Sequence, residues 1–192
     1  MTSPTPQRAS QAVVAAGGGV FHPERLVAVL GRFKVRYVLI GGVAARLHGF
    51  PWLVAIAEIT PAPDPSNREA LATALKHLSA RIFTDGTPEG LPFEISAESL
   101  SRAEEWSLIT ACGRLDIRFR PAGVDGFDAL AGRAVQFQIH GDALAVAHLR
   151  DIVSMREANA TESDRFEVGL LKELLKRQLA EKSASASDTV MP

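Results

Sequence analysis

Two adjacent glycines, Gly41-Gly42, are placed to do chemistry. They follow an apolar run, Tyr37-Val38-Leu39-Ile40, and precede a short helical pattern from Val43 to His48. A glycine pair that ends a buried strand and opens a helix offers uncovered backbone N–H groups to an anion. By itself the pair is also a tight turn. Asp116, within GRLDIRFRPAG, lies on the strand face opposite its apolar neighbours Leu115 and Ile117. It reads either as a site carboxylate or as a surface Asp on an edge strand. Arg156 carries a guanidinium that can clasp phosphate in a bidentate way, or pair on an exposed helix with Asp151. Asp164 stands before the last helical pattern, as a site residue or as its N-cap.

Other chemistries find no pattern. The five histidines (22, 48, 77, 140 and 148) lack metal-ligand spacing, and His48 reads as a structural contact. The single Cys112 excludes an intramolecular disulfide and a Cys-rich zinc site, and reads as a small buried hydrophobe. No Walker A, GxSxG or GxGxxG pattern occurs. Trp52 and Trp106 read as core or rim packing. Lys plus Arg (21) and Asp plus Glu (22) nearly cancel, so no bulk basic surface exists to drive non-specific DNA binding. No segment reaches the roughly 18 to 20 apolar residues of a membrane span, and a lone cysteine fits a reducing cytoplasm.

The elements that must position these residues follow from periodicity. Pro23 opens an amphipathic helix through Leu26, Val27, Val29, Leu30 and Phe33. Strands are expected over Tyr37 to Ile40 and Leu53 to Ile59, then a rigid loop from Pro61 to Pro65. Ser66 is expected to cap a helix over Asn67 to Leu78. Arg81 to Phe83 reads as an edge strand, Thr84 to Phe93 as loop, and Ser96 to Ala103 as a short helix. Two hairpins follow: Ser107 to Ala111 with Leu115 to Phe119, and Val135 to Ile139 with Ala143 to Val146 across His140-Gly141-Asp142. A short helix, Phe127 to Ala131, lies between them. Helices over His148 to Asn159 and Asp164 to Leu179 flank a polar break. This order predicts an α+β protein: a two-layer α/β arrangement with a small mixed sheet, packed helices and C-terminal helices.

Three of these features together resemble the nucleotidyltransferase-fold superfamily. They are YVLIGGVAARLHG, the Asp116 strand and the C-terminal HLRDIVSMREANATESDRFEVGLLKELL. Within that superfamily the chain resembles the bacterial minimal nucleotidyltransferase and AbiEii/MenT-like toxin group. The resemblance covers about residues 35 to 175. It implies a glycine pair that approaches a nucleotide phosphate, two metal-binding aspartates on the second strand, and a third carboxylate on the later strand. It implies transfer of a nucleotide from an NTP, with Mg²⁺, to an acceptor such as a tRNA, a protein or a small molecule.

Residue by residue, the resemblance assigns nucleotide binding to Gly41, Gly42, Arg156 and Asp164, with Arg156 at the position of a Lys. It assigns catalysis and metal binding to Glu58 and Asp116. The motif is degenerate. Ile56 stands at the first Asp position, Glu58 at the second and Val54 at the usual Ser/Thr position. Mg²⁺ needs oxygen ligands, so it is expected to be weakly held if bound. The leading expectation is nucleotide binding with weak or lost NMP transfer. An active Mg²⁺-dependent enzyme using Glu58 and Asp116 is one alternative. A non-catalytic partner in a toxin–antitoxin-like complex is the other. The expected organisation is a disordered tail over 1–20, a nucleotidyltransferase-like domain over 21–146, a helical segment over 147–180 packed on it, and a disordered tail over 181–192.

Overall fold

The computed structural model describes residues 13–14, 20–51, 54–139 and 142–187. Strands β1 (Val13–Val14) and β2 (Val20–Phe21) form a small antiparallel pair. Phe21 is a buried core residue that lies against Gly113. Helix α1 (Pro23–Arg32) follows, with Pro23 at its start and Leu26 and Leu30 buried. Then come β3 (Tyr37–Ile40), α2 (Gly41–Leu47) and β4 (Ile56–Pro61). The expected start of β4 at Leu53 lies outside the described residues, as does Trp52, and the strand begins at Ile56.

Helix α3 (Pro65–His77) is capped by Asp64, not by Ser66. The Asp64 carboxylate accepts from the Asn67 N–H (3.0 Å) and from the Ser66 hydroxyl (2.6 Å). Pro65 takes the first helical turn, where its missing N–H costs nothing, and this moves the cap one residue before it. Next are β5 (Arg81–Thr84) and β6 (Thr87–Leu91). The expected loop over Thr84 to Phe93 therefore contains a strand, and β5 lies between β6 and β7 rather than at an edge. Pro88 lacks a ladder donor, which an edge strand tolerates, and the Arg81 Nε donates to the Gly90 carbonyl at 3.1 Å.

The remaining elements run close to expectation: α4 (Ala97–Leu100), β7 (Glu105–Thr110), β8 (Gly113–Arg118), α5 (Gly126–Arg133), β9 (Val135–Ile139), β10 (Asp142–Val146) and α6 (Leu149–Ala158). The hairpin tip His140-Gly141 lies outside the described residues. A 3-10 turn, Glu162–Asp164, leads into α7 (Arg165–Ser187). That helix runs past its expected end at Leu179, because the Ala-Glu-Lys-Ser-Ala-Ser continuation holds no Gly or Pro to stop it.

Eight strands form one mixed sheet in the order β6-β5-β7-β8-β4-β3-β10-β9. The β4–β8 and β3–β10 pairs are parallel and the others antiparallel. The expected α/β class holds. Alternation decides what each central strand shows to each face. On β8, Leu115 and Ile117 are fully buried, while Arg114, Asp116 and Arg118 on the other face are half-buried. On β4, Ala57 and Ile59 are buried, while Ile56 and Glu58 are half-buried. The faces of β4 and β8 that carry charge thus coincide, and α2, α6 and α7 stand over them.

Candidate functional site

A pocket of about 440 Å³ opens on that shared face. Its floor is Ile56, Glu58, Asp116 and Arg118, and its rim includes Gly41, Gly42, Val54, Arg156 and Glu167. Such a volume is within the range of small-molecule sites. Parallel register sets Glu58 directly beside Asp116, and Ile56 beside Arg114. The structure thus brings together five of the six residues expected to form the site: Gly41, Gly42, Glu58, Asp116 and Arg156. Asp164 does not line the pocket. It accepts from the Thr161 N–H (2.8 Å) and hydroxyl (2.7 Å), closing the turn between α6 and α7. Those bonds, the backbone one first, hold its carboxyl below the ordinary carboxylate range.

The glycine pair is shaped by its neighbours. Gly41 has φ +66°, a left-handed conformation natural to glycine. A methyl group there would collide with Glu58 Oε1, so the carboxylate of Glu58 lies against the turn. A methyl on Gly42 would come within 3.0 Å of Val54 Cγ1. Val54 therefore fills with hydrocarbon the place where the resemblance implies a hydroxyl.

Two arginines of β8 face the carboxylates, Arg118 on the floor and Arg114 beside it, outside the pocket lining. Arg118 Nε faces Glu58 Oε2 at 3.4 Å, and Arg114 Nη2 faces Asp116 Oδ1 at 3.5 Å. Both distances exceed those of good charge-assisted hydrogen bonds. Asp116 Oδ1, Arg118 Nε and Arg114 Nε are buried without a hydrogen-bond partner. Arg114 also stacks on Phe83, its guanidinium carbon 3.4 Å from the ring centre. At the rim, Arg156 pairs with Glu167 on α7 at 3.0 Å, not with Asp151. Arg114 and Arg118, not among the expected site residues, do carry a signal in the sequence. Arg-x-Asp-x-Arg on a strand puts all three charges on one face.

A divalent cation does not fit this donor set. Mg²⁺ requires several oxygens in near-octahedral geometry. Here each of the two carboxylates already faces a guanidinium, and Ile56 and Val54 supply no oxygen. Among the described residues no group of three His, Cys, Asp or Glu side chains is gathered to hold a metal. The other candidates have structural roles. His48 Nε2 lies 2.8 Å from the Ala147 carbonyl, and its ring meets Phe137 edge-on. Cys112 is buried, and that burial pushes its thiol above the usual range. Trp106 stacks on Phe93. No helix among the described residues is long and apolar enough to cross a membrane.

No family model matches the sequence, and no curated protein matches it. Solved structures do. The lincosamide antibiotic adenylyltransferase LnuA, in its lincomycin-bound crystal structure, superposes with a TM-score of 0.53 at 15% identity, over 82% of this chain and 99% of that one. The antibiotic-resistance factor ANT(2'')-Ia covers 86% of this chain and 95% of its own at 12% identity, with a TM-score of 0.43. The first likeness shows a nucleotidyltransferase fold.

Proposed function

We propose that this chain binds a nucleotide in the pocket beneath Gly41-Gly42 and transfers its nucleotidyl group weakly or not at all. The observation that carries this reading is the floor itself. Glu58 and Asp116 are register partners beside the glycine turn, as nucleotidyl transfer would need, yet each faces an arginine. A metal-bridging pair must leave its oxygens to the cation. A carboxylate that shares its charge with a guanidinium holds a cation poorly, and the hydrocarbon side chain of Ile56 adds no ligand. Losing one bridging carboxylate removes several kcal/mol of transition-state stabilisation, and each ~1.4 kcal/mol is a factor of ten in rate.

The fold, the pocket and the rim guanidinium of Arg156 support a nucleotide as the ligand. The order of helix, polar break, Asp164 and final helix supports kinship with the AbiEii/MenT-like toxin group. Incubation with labelled NTPs, Mg²⁺ or Mn²⁺, and total tRNA tests the reading. Binding without label transfer is expected. Robust transfer would overturn it and would return metal and catalytic roles to Glu58 and Asp116. LnuA is named as acting on a lincosamide, so a lincosamide belongs among the acceptors tried.

A further inference from the structure

We infer that the pocket takes the phosphates of its nucleotide without a divalent cation, on the guanidinium of Arg118, and that Glu58 competes with those phosphates instead of holding a metal for them. The inference rests on the nucleotide-binding reading above and specifies how the charge is met. Three observations carry it. Arg118 lines the pocket, and its Nε is buried with no hydrogen bond. Its other contacts are loose: Nε to Glu58 at 3.4 Å, and Nη1 to Glu105 at 3.4 and 3.5 Å, where Glu105 is mostly exposed. Arg156, by contrast, is held at 3.0 Å by Glu167. Arg118 is therefore the pocket cation with more to gain from a phosphate.

The second observation is the position of Glu58. Its Oε1 rests against Gly41, in the space an anion would enter to reach the turn, and its Oε2 faces Arg118. One carboxylate thus lies against the turn and faces Arg118, where a phosphate oxygen would have to displace it. The third is the donor set, which lacks the oxygens a Mg²⁺ ion would need. Guanidinium binds phosphate in two parallel hydrogen bonds without any metal. A phosphate arriving at Arg118 exchanges a poorly aligned carboxylate for a well-matched anion.

Titration calorimetry on the full chain separates the possibilities, with ATP, CTP, GTP and UTP each added in excess EDTA and again with saturating Mg²⁺. At least one NTP is expected to bind as tightly in EDTA as in Mg²⁺. Arg118→Gln is expected to weaken it about tenfold, a change of ~1.4 kcal/mol. Glu58→Gln, which is isosteric and keeps the pocket's shape, is expected to tighten it severalfold. Binding that requires Mg²⁺ and is lost in Glu58→Gln would overturn the inference and leave nucleotide binding standing. No binding of any NTP under either condition, in the wild type or in Glu58→Gln, would overturn both. The wild-type comparison of EDTA with Mg²⁺ decides the point even if Arg118→Gln does not fold.

Discussion

Two buried polar side chains, Asn67 and Asp151, are closely paired, while the charged groups around the pocket are not. At the junction of α3 with the sheet, Asn67 is buried and makes three hydrogen bonds. Its Oδ1 accepts from the Arg36 N–H at 2.7 Å, and its Nδ2 donates to the Arg36 and Ala62 carbonyls at 2.9 Å each. Arg36 precedes β3 and Ala62 follows β4, so one amide clamps the ends of two paired strands. At the start of α6, buried Asp151 takes a bidentate pair from Arg133, with distances of 3.1, 3.1 and 2.8 Å. At the pocket floor, Glu58 and Asp116 stand 3.4 Å or more from Arg118 and the neighbouring Arg114, with orphaned atoms among them. Unpartnered atoms also occur away from the pocket, at Thr60 Oγ1 and Arg68 Nε, so an unmade bond points to a site only where a cavity lies beside it, as at Asp116 and Arg118. An unmade bond in a dry place costs free energy, and that cost is recovered if a ligand makes it.

The largest effect expected is at Asn67. Asn67→Ala removes three buried hydrogen bonds and strands the backbone groups of Arg36 and Ala62, at a cost of about 3 kcal/mol. Urea denaturation reads this directly, and a loss below about 1 kcal/mol would erase the contrast between the two regions. Arg133→Met comes second. It leaves Asp151 buried and unpaired, though Arg133 itself is half exposed. A fall in Tm of a few degrees is expected, smaller than for Asn67→Ala. On the pocket floor the same kind of change is expected to be mild. Asp116→Asn and Glu58→Gln each alter stability by less than about 1 kcal/mol, because each removes a charge whose partner was poorly aligned. If either costs as much as Asn67→Ala, the floor is a structural staple and not a site.

The sequence made the ends of this contrast legible to different degrees. The strand, glycine pair and helix from Tyr37 to Leu47 were readable because an apolar run, a glycine pair and a helical period are all local signals. Both hairpins were readable from alternation bounded by turn residues. Strand β6 was not, because Thr-Pro-Glu-Gly-Leu carries turn-forming residues and owes its extended form to its neighbour β5. The cap of α3 was misplaced because Asp64 and Ser66 are both good caps, and only Pro65 at the first turn decides between them. In the site, Glu58 and Asp116 were expected together, and register put them together. The arginines facing them come from β8 itself, and sequence alone could not say that their guanidinium groups fold back onto these carboxylates. The turn of Asp164 back to Thr161 did have a local signal, since Thr-x-x-Asp is the capping-box spacing and its two members bond each other directly.

The smallest expected effect lies at Asp64, on the satisfied side of the contrast and at the surface. Its carboxylate is stabilised first by the Ser66 hydroxyl, then by the Asn67 N–H, with the Arg36 guanidinium also paired to it, and together these hold it below its ordinary value of 3.8. A carboxyl whose value is lowered by folding stabilises the native state when ionised. That contribution is complete above the ordinary value and disappears as pH falls through the lowered one. Asp64→Asn keeps a capping oxygen but removes the charge. The variant is therefore expected to be slightly less stable than the wild type at pH 7, and the two should converge in acid well below pH 3.8. Urea midpoints measured at both pH values check this. A gap that stays constant with pH would mean that the cap works by its hydrogen bonds alone, and that the Asp64 charge is as loosely used as those on the pocket floor.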